Sequence, residues 1–242
     1  CEKDAYRQIV HLTDRMDYLS CHINNEAVCL AVEQALQIEV PERVKVIRTI
    51  VDELTRLASH QLWWGVMGMD MGAITSFLYG FRDREMINDI FEETCGARLT
   101  MNYNVPGGLM FDIHPNFQKR TKDFVAHFKT KLPEYDQLLS DNPITGPSGR
   151  ASGFACDVRK RHPYGMYSQV DFIEILMTEG DCFARYKARI LEMWESLRII
   201  EQLIDNIPEG DFQAPTKQVI KLPKGEYYQR VETARGDFGV YI

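Results

Sequence analysis

The chain has 242 residues, 45% hydrophobic and 26% charged, enough apolar material to bury a core as one large domain or two small ones. Its net charge of −7 repels phosphate backbones and argues against nucleic acid as a partner. The most apolar stretch, Leu62 to Met69, is closed by Asp70 well short of the about 20 residues that a spanning helix needs. The start, Cys1-Glu2-Lys3-Asp4, is charged from its second residue and does not read as a signal peptide. It lacks Met, so the true start is expected upstream. Cysteines stand at 1, 21, 29, 95, 156 and 182 with no CxxC pair, and read as buried, reduced thiols of a cytosolic protein.

In chain order, Ala5 to Leu19 places Ile9, Leu12, Met16 and Leu19 at steps of three and four, which predicts an amphipathic helix. Ala27 to Ile38 repeats the pattern. Pro41 opens a longer helix from a first-turn position, where its missing N–H costs nothing. There Val44, Ile47, Val51, Leu54 and Ala58 form the core face, and Lys45, Arg48, Asp52 and Arg56 a charged face with Asp52 and Arg56 at pairing distance. A helix over Ile74 to Cys95 is stopped by Gly96, and Tyr103 to Gly108 is a Pro-Gly-Gly loop. Pro115 to Ser140 is helical apart from Pro133, Asp141 to Tyr167 irregular, and Val170 to Met177 a candidate strand. Asp181 to Ile207 is a long amphipathic helix, and the tail from Gly210 is short strands and turns. The expected fold is mainly α with minor β structure in the C-terminal third, an antiparallel helical bundle in one domain. Its helical core covers about 1–140 and 179–207, with irregular or β structure at 141–178 and 208–242.

Three stretches could carry chemistry. Asp14 to Leu19 offers Tyr18, for which structural packing is the more frequent role of a single helical tyrosine. Glu53, Arg56 and His60 share a helix face; the arginine argues against a cation there and for a polar network between helices. Gly65, Gly68 and Gly72 would each weaken a helix by roughly 1 kcal/mol relative to Ala, so a close helix approach or a helix end beside a cavity is expected. Asp70 stands among methionines in that stretch; if buried it needs a partner or a proton, although an exposed capping role is the default. Gly146 to Gly153 lacks both GxGxxG and a Walker lysine, which excludes a phosphate loop.

These same strings carry a resemblance. Asp-Arg-Met-Asp-Tyr-Leu at 14–19, Val-Pro-Glu-Arg at 40–43, Glu-Leu-Thr-Arg-Leu-Ala-Ser-His at 53–60, Asp-Met-Gly-Ala at 70–73, Phe-Arg-Asp-Arg-Glu at 81–85, Arg-Ala-Ser-Gly at 150–153, Asp-Val-Arg-Lys at 157–160, Gly-Asp-Cys-Phe-Ala-Arg-Tyr at 180–186 and Arg-Gly-Asp-Phe-Gly-Val-Tyr at 235–241 occur in order. Across nearly its whole length the chain resembles the 49-kDa (D-type) subunit of proton-pumping NADH:quinone oxidoreductase (respiratory complex I), which is related to the nickel–iron hydrogenase large chain. The resemblance implies a peripheral subunit on the cytoplasmic side of the membrane. It would face a B-type iron–sulfur subunit that holds a [4Fe–4S] cluster, with other complex I subunits and the membrane domain as further partners.

Quinone is the implied substrate, with no cofactor held by this chain alone. The resemblance assigns Tyr18 to a quinone carbonyl and Asp70 to a histidine whose motif lies before Cys1; His60, Arg56 and Glu53 are candidates for support. A phenol with a pKa of about 10 remains a donor at neutral pH, and a carboxylate–histidine pair can hold the second proton. Three departures stand out. Val105 replaces the family's usual arginine before Pro-Gly-Gly, a family stretch is missing between Ile144 and Thr145, and the hydrogenase CxxC motifs are absent. The alternative reading is a non-catalytic scaffold of a hydrogenase-like membrane complex.

Overall fold

A computed structural model describes residues 6, 8–140, 156–217 and 219–242. The expected junction at 144–145 and the glycine-rich stretch to Gly153 lie outside the described residues. Among those described, seven helices and four short strands run in the order α1 Val10–Thr13, α2 Cys21–Leu36, α3 Glu42–Asp70, α4 Ile74–Cys95, β1 Asn104–Val105, β2 Gly108–Leu109, α5 Phe117–Ser140, α6 Val158–Arg161, α7 Cys182–Ile204, β3 Tyr228–Thr233 and β4 Gly236–Tyr241. The fold is mainly α, as the periodicity predicts.

Helix α3 is the axis. Val44, Ile47, Val51, Leu54 and Ala58 are all buried, and α4 and α7 pack along it. The glycines explain how closely α4 comes. A Cβ at Gly80 would lie 2.6 Å from the carbonyl oxygen of Gln61, and one at Gly68 would strike the side chain of Ser76. Close approach offsets their poor helix propensity. Gly96 ends α4 in the left-handed region at φ 78°, the conformation glycine reaches without a Cβ clash. The Trp64 and Tyr135 rings stack with centroids 3.9 Å apart, joining α3 to α5, and the Tyr135 hydroxyl donates to Asp83 of α4 at 2.9 Å. Asp181 caps α7 by accepting the backbone N–H of Ala184 at 2.7 Å, and Ile190, Met193, Leu197, Ile200 and Leu203 are buried. The β3–β4 hairpin pairs Tyr228 with Tyr241 through Thr233 with Gly236, and seats Val231 against Ile23 and Ala27 of α2.

Several expectations are corrected. Within the described part of the helix predicted over Ala5 to Leu19 there is a single turn, Val10–Thr13, followed by a looped segment, where Asn24 of α2 bonds the carbonyls of Thr13 and Asp17 in place of a helical ladder. Pro41 is the residue before α3 rather than within its first turn. Of the expected charged face only Lys45 is exposed. Arg48, Asp52 and Arg56 are buried, with Arg48 between Glu26 and Glu33 of α2 at 3.1 and 2.8 Å, and Arg56 paired with Glu53, not Asp52. The Pro-Gly-Gly loop closes a miniature hairpin, β1–β2, with Asn104 opposite Leu109. Helix α5 continues through Pro133, which lies on its exposed side. The candidate strand Val170 to Met177 forms no strand: the N–H groups of Asp171 and Ile173 donate instead to the side chains of Gln202 and Glu195 on α7. Cys21, Cys29 and Cys95 are buried, whereas Cys156 and Cys182 are exposed, both outside the helical core face. No helix among the described residues is long and apolar enough to cross a membrane.

Candidate functional site

Tyr18 lies in the segment between α1 and α2, with its side chain 57% exposed. The backbone around it is held from several sides. Asn24 of α2, fully buried, donates its amide to the carbonyls of Thr13 at 3.1 Å and Asp17 at 2.9 Å. The Asp17 carboxylate accepts the Leu19 N–H at 3.2 Å and lies 3.6 Å from the guanidinium of Arg235, at the β3–β4 turn. The Cys21 thiol donates to the Tyr18 carbonyl at 3.0 Å. Asp14 accepts the Asn102 N–H at 2.7 Å and the Asn25 amide. Burial pushes the Asp14 carboxyl up to about 6, against those two hydrogen bonds.

Asp70 is the last residue of α3 and is exposed, at the end of the glycine-bearing stretch. A carboxylate there meets the negative end of the helix dipole, a mildly unfavourable placement that solvent screens. No hydrogen bond or ion pair among the described residues joins Asp70 to Tyr18.

Glu53 and Arg56 lie within a buried charge cluster. Arg56 approaches Glu53 at 3.3 Å, Arg159 does so at 3.0 Å, and the Tyr167 hydroxyl donates to it at 2.6 Å. Arg159 in turn grips Asp157 at 2.8 Å, and Arg56 donates to the backbone carbonyl of Glu232 at 2.7 Å. Burial alone would raise Glu53, but the Arg56 and Arg159 guanidiniums and the tyrosine hydroxyl outweigh it and hold the carboxyl at about 2. His60, one turn on from Arg56, is buried with Nε2 3.0 Å from Glu192 of α7. Burial lowers its pKa more than Glu192 restores it, which favours the neutral ring at pH 7.

Glu192 lines a cleft of about 270 Å³ whose rim carries Arg185, Arg189, Glu232 and Arg235. Through Arg235 and Asp17 the rim reaches the Tyr18 segment. The structure thus brings Glu53 and Arg56 together, sets His60 on Glu192 a turn away, and leaves Tyr18 and Asp70 as two separate exposed groups. Arg159, Asp157, Tyr167 and Glu192 are not among the residues that the sequence singles out. The Asp-Val-Arg-Lys string contains two of them, but nothing local marks Tyr167 or Glu192. Among the described residues no three His, Cys, Asp or Glu side chains converge as a metal-ligand set.

The chain matches the family described as "Respiratory-chain NADH dehydrogenase, 49 Kd subunit" over residues 70–145 and 144–222. It is 53% identical over 262 residues to the C/D subunit of NADH-quinone oxidoreductase from Bacteroides thetaiotaomicron, covering 100% of this chain and 49% of that relative. It thus spans about half the length of the C/D relatives it matches. It is 40% identical to the D-type subunit of NADH-quinone oxidoreductase from Bacillus anthracis, covering 100% of this chain and 72% of that protein. In structure it resembles a chain of the membrane-bound sulfane sulfur reductase, an archaeal respiratory membrane complex, with a TM-score of 0.93, 32% identity, and 100% of this chain and 72% of that chain covered. These matches place the chain in the 49-kDa subunit family of respiratory-chain NADH dehydrogenase.

Proposed function

We propose that this chain is the quinone-site subunit of an NADH:quinone oxidoreductase that pumps protons. The observation that carries the reading is Tyr18, an exposed phenol on a backbone segment pinned by buried side chains. Quinone reduction to quinol adds two electrons and two protons. The Tyr18 hydroxyl donates a hydrogen bond to one carbonyl, and that bond strengthens as negative charge builds on the oxygen. Asp70 holds a proton for the other oxygen. Electrons arrive from a [4Fe–4S] cluster in a neighbouring B-type subunit, and the assembly sits on the cytoplasmic side of the membrane as a peripheral arm. The buried Glu53–Arg56–Arg159 cluster and the His60–Glu192 pair support the cleft from behind.

The test is made in the assembled complex. Tyr18→Phe keeps the ring and removes the hydroxyl, at an expected cost of roughly 1–3 kcal/mol of binding or transition-state energy. NADH:quinone activity should fall while NADH:ferricyanide activity, which bypasses the quinone, stays level. Asp70→Asn should slow quinone turnover in the same selective way. Equal loss of both activities with Tyr18→Phe, or loss of neither, removes the assignment.

A second reading, a scaffold subunit of a related membrane complex, is favoured by the likeness to the sulfane sulfur reductase chain. Under that reading neither substitution changes the ratio of the two activities.

A further inference from the structure

Two consecutive backbone turns precede α2. In the first, the Met16 N–H donates to the Thr13 carbonyl at 3.1 Å; in the second, the Ser20 N–H donates to the Asp17 carbonyl at 2.8 Å. Each carbonyl has a second lone pair, and both are taken by the amide nitrogen of Asn24, at 3.1 and 2.9 Å. Asn24 therefore clips the two turns to one another, and Tyr18 is the residue after the second clip. The geometry is pre-set, because Asn24 is fully buried on the first turn of α2 and its own N–H bonds Ser20 at 3.0 Å.

Of the other anchors, the Cys21 thiol, a weak donor, bonds the Tyr18 carbonyl at 3.0 Å and the Asp17 carboxylate accepts the Leu19 N–H at 3.2 Å; the rest act elsewhere or weakly. Asp14, Asn25 and Asn102 tie down the start of the segment. The Arg235–Asp17 pair is 3.6 Å long with an exposed guanidinium, the kind of surface contact that contributes little. The Tyr18 side chain, by contrast, is more than half exposed and makes no hydrogen bond to the described residues, so its position follows that of its backbone.

We infer that Asn24 is a positioning residue for the Tyr18 hydroxyl. By clipping the carbonyls of Thr13 and Asp17 it fixes the height and direction from which that hydroxyl meets a bound substrate oxygen. The inference rests on the quinone-site reading. It adds a residue that makes no substrate contact and acts through one that does.

The experiment is a double-mutant cycle in the full complex, with quinone reduction normalised to ferricyanide reduction in the same preparation. Asn24→Asp keeps the side-chain shape and removes both N–H donations; Asn24→Ala removes them without adding charge. Either should lower normalised quinone turnover roughly 10- to 100-fold, the scale of loss when a reacting group is misplaced by about an ångström. Asn24→Ser, which keeps one donor, should recover part of it. In a Tyr18→Phe background the Asn24 substitutions should cause no further loss, because the group they position is gone.

A full additional loss in that background shows that Asn24 acts on something else and overturns the inference. So does unchanged normalised turnover, or failure of both variants to assemble, which would make Asn24 purely architectural. If Tyr18→Phe alone leaves quinone reduction untouched, it is the quinone-site reading that fails, and this outcome is read from a different arm of the cycle.

Discussion

Arg159 meets Glu53 at 3.0 Å across 106 residues of sequence, with both side chains closed off from solvent. The pair joins the middle of α3 to the short helix α6, and Arg56 completes it from one turn along α3. Two guanidiniums share one carboxylate; Arg159 also holds Asp157, so removing Glu53 leaves the buried Arg56 guanidinium without its paired carboxylate.

Glu53→Gln is therefore expected to destabilise the chain by roughly 3–5 kcal/mol, the range for breaking a buried ion pair at one end. Chemical denaturation of wild type and variant measures it. Replacing the whole set with apolar residues of similar size should cost far less, because no unpaired charge remains.

The same carboxylate carries a pH signature. Its folded value of about 2 lies below the ordinary 4.5, so its stabilisation is fully present above pH 4.5 and is lost as pH falls through about 2. Asp14, held up at about 6 by burial, runs the other way and favours folding at low pH. Comparison with Glu53→Gln isolates the first effect: the stability gap between wild type and variant should narrow by roughly 3 kcal/mol between pH 5 and pH 2. A gap independent of pH would contradict the assignment.

Gly80→Ala should be destabilising although alanine is the better helix former by about 1 kcal/mol. The added methyl would lie 2.6 Å from the Gln61 carbonyl oxygen, on a backbone that cannot swing aside. A net loss of about 1–3 kcal/mol is expected from this overpacking, read as a lower Tm. A gain in Tm would mean that α3 and α4 are less closely apposed.

Cys156 and Cys182 should react with a soluble thiol reagent in the folded, isolated chain, whereas Cys21, Cys29 and Cys95 should not until denaturant is added. Burial pushes the Cys21 thiol up to about 12, so it lacks thiolate as well as access. Peptide mapping by mass spectrometry distinguishes the five.

The long helices are legible in the sequence because each carries an apolar stripe of its own: α4 and α7 begin and end within about three residues of the positions their glycine and aspartate signals predict. The Tyr18 segment is not. Its apolar spacing at Ile9, Leu12 and Met16 is helical, and the side chain that undoes the helix, Asn24, belongs to the next element. Likewise Arg48, Asp52 and Arg56 read as a solvated stripe because local sequence cannot say that Glu26, Glu33 and Arg159 will close over it. Tyr18 and Asp70 come from matching strings rather than from periodicity.

Helix α3 is 29 residues long without interruption. At 1.5 Å per residue, Asp70 stands about 25 Å along the axis from Glu53 and about 15 Å from His60. No single ring-sized substrate touches both ends of such a span. Energies at the two ends should then add, so that Asp70→Asn changes turnover by the same factor whether or not the Glu53 cluster is intact.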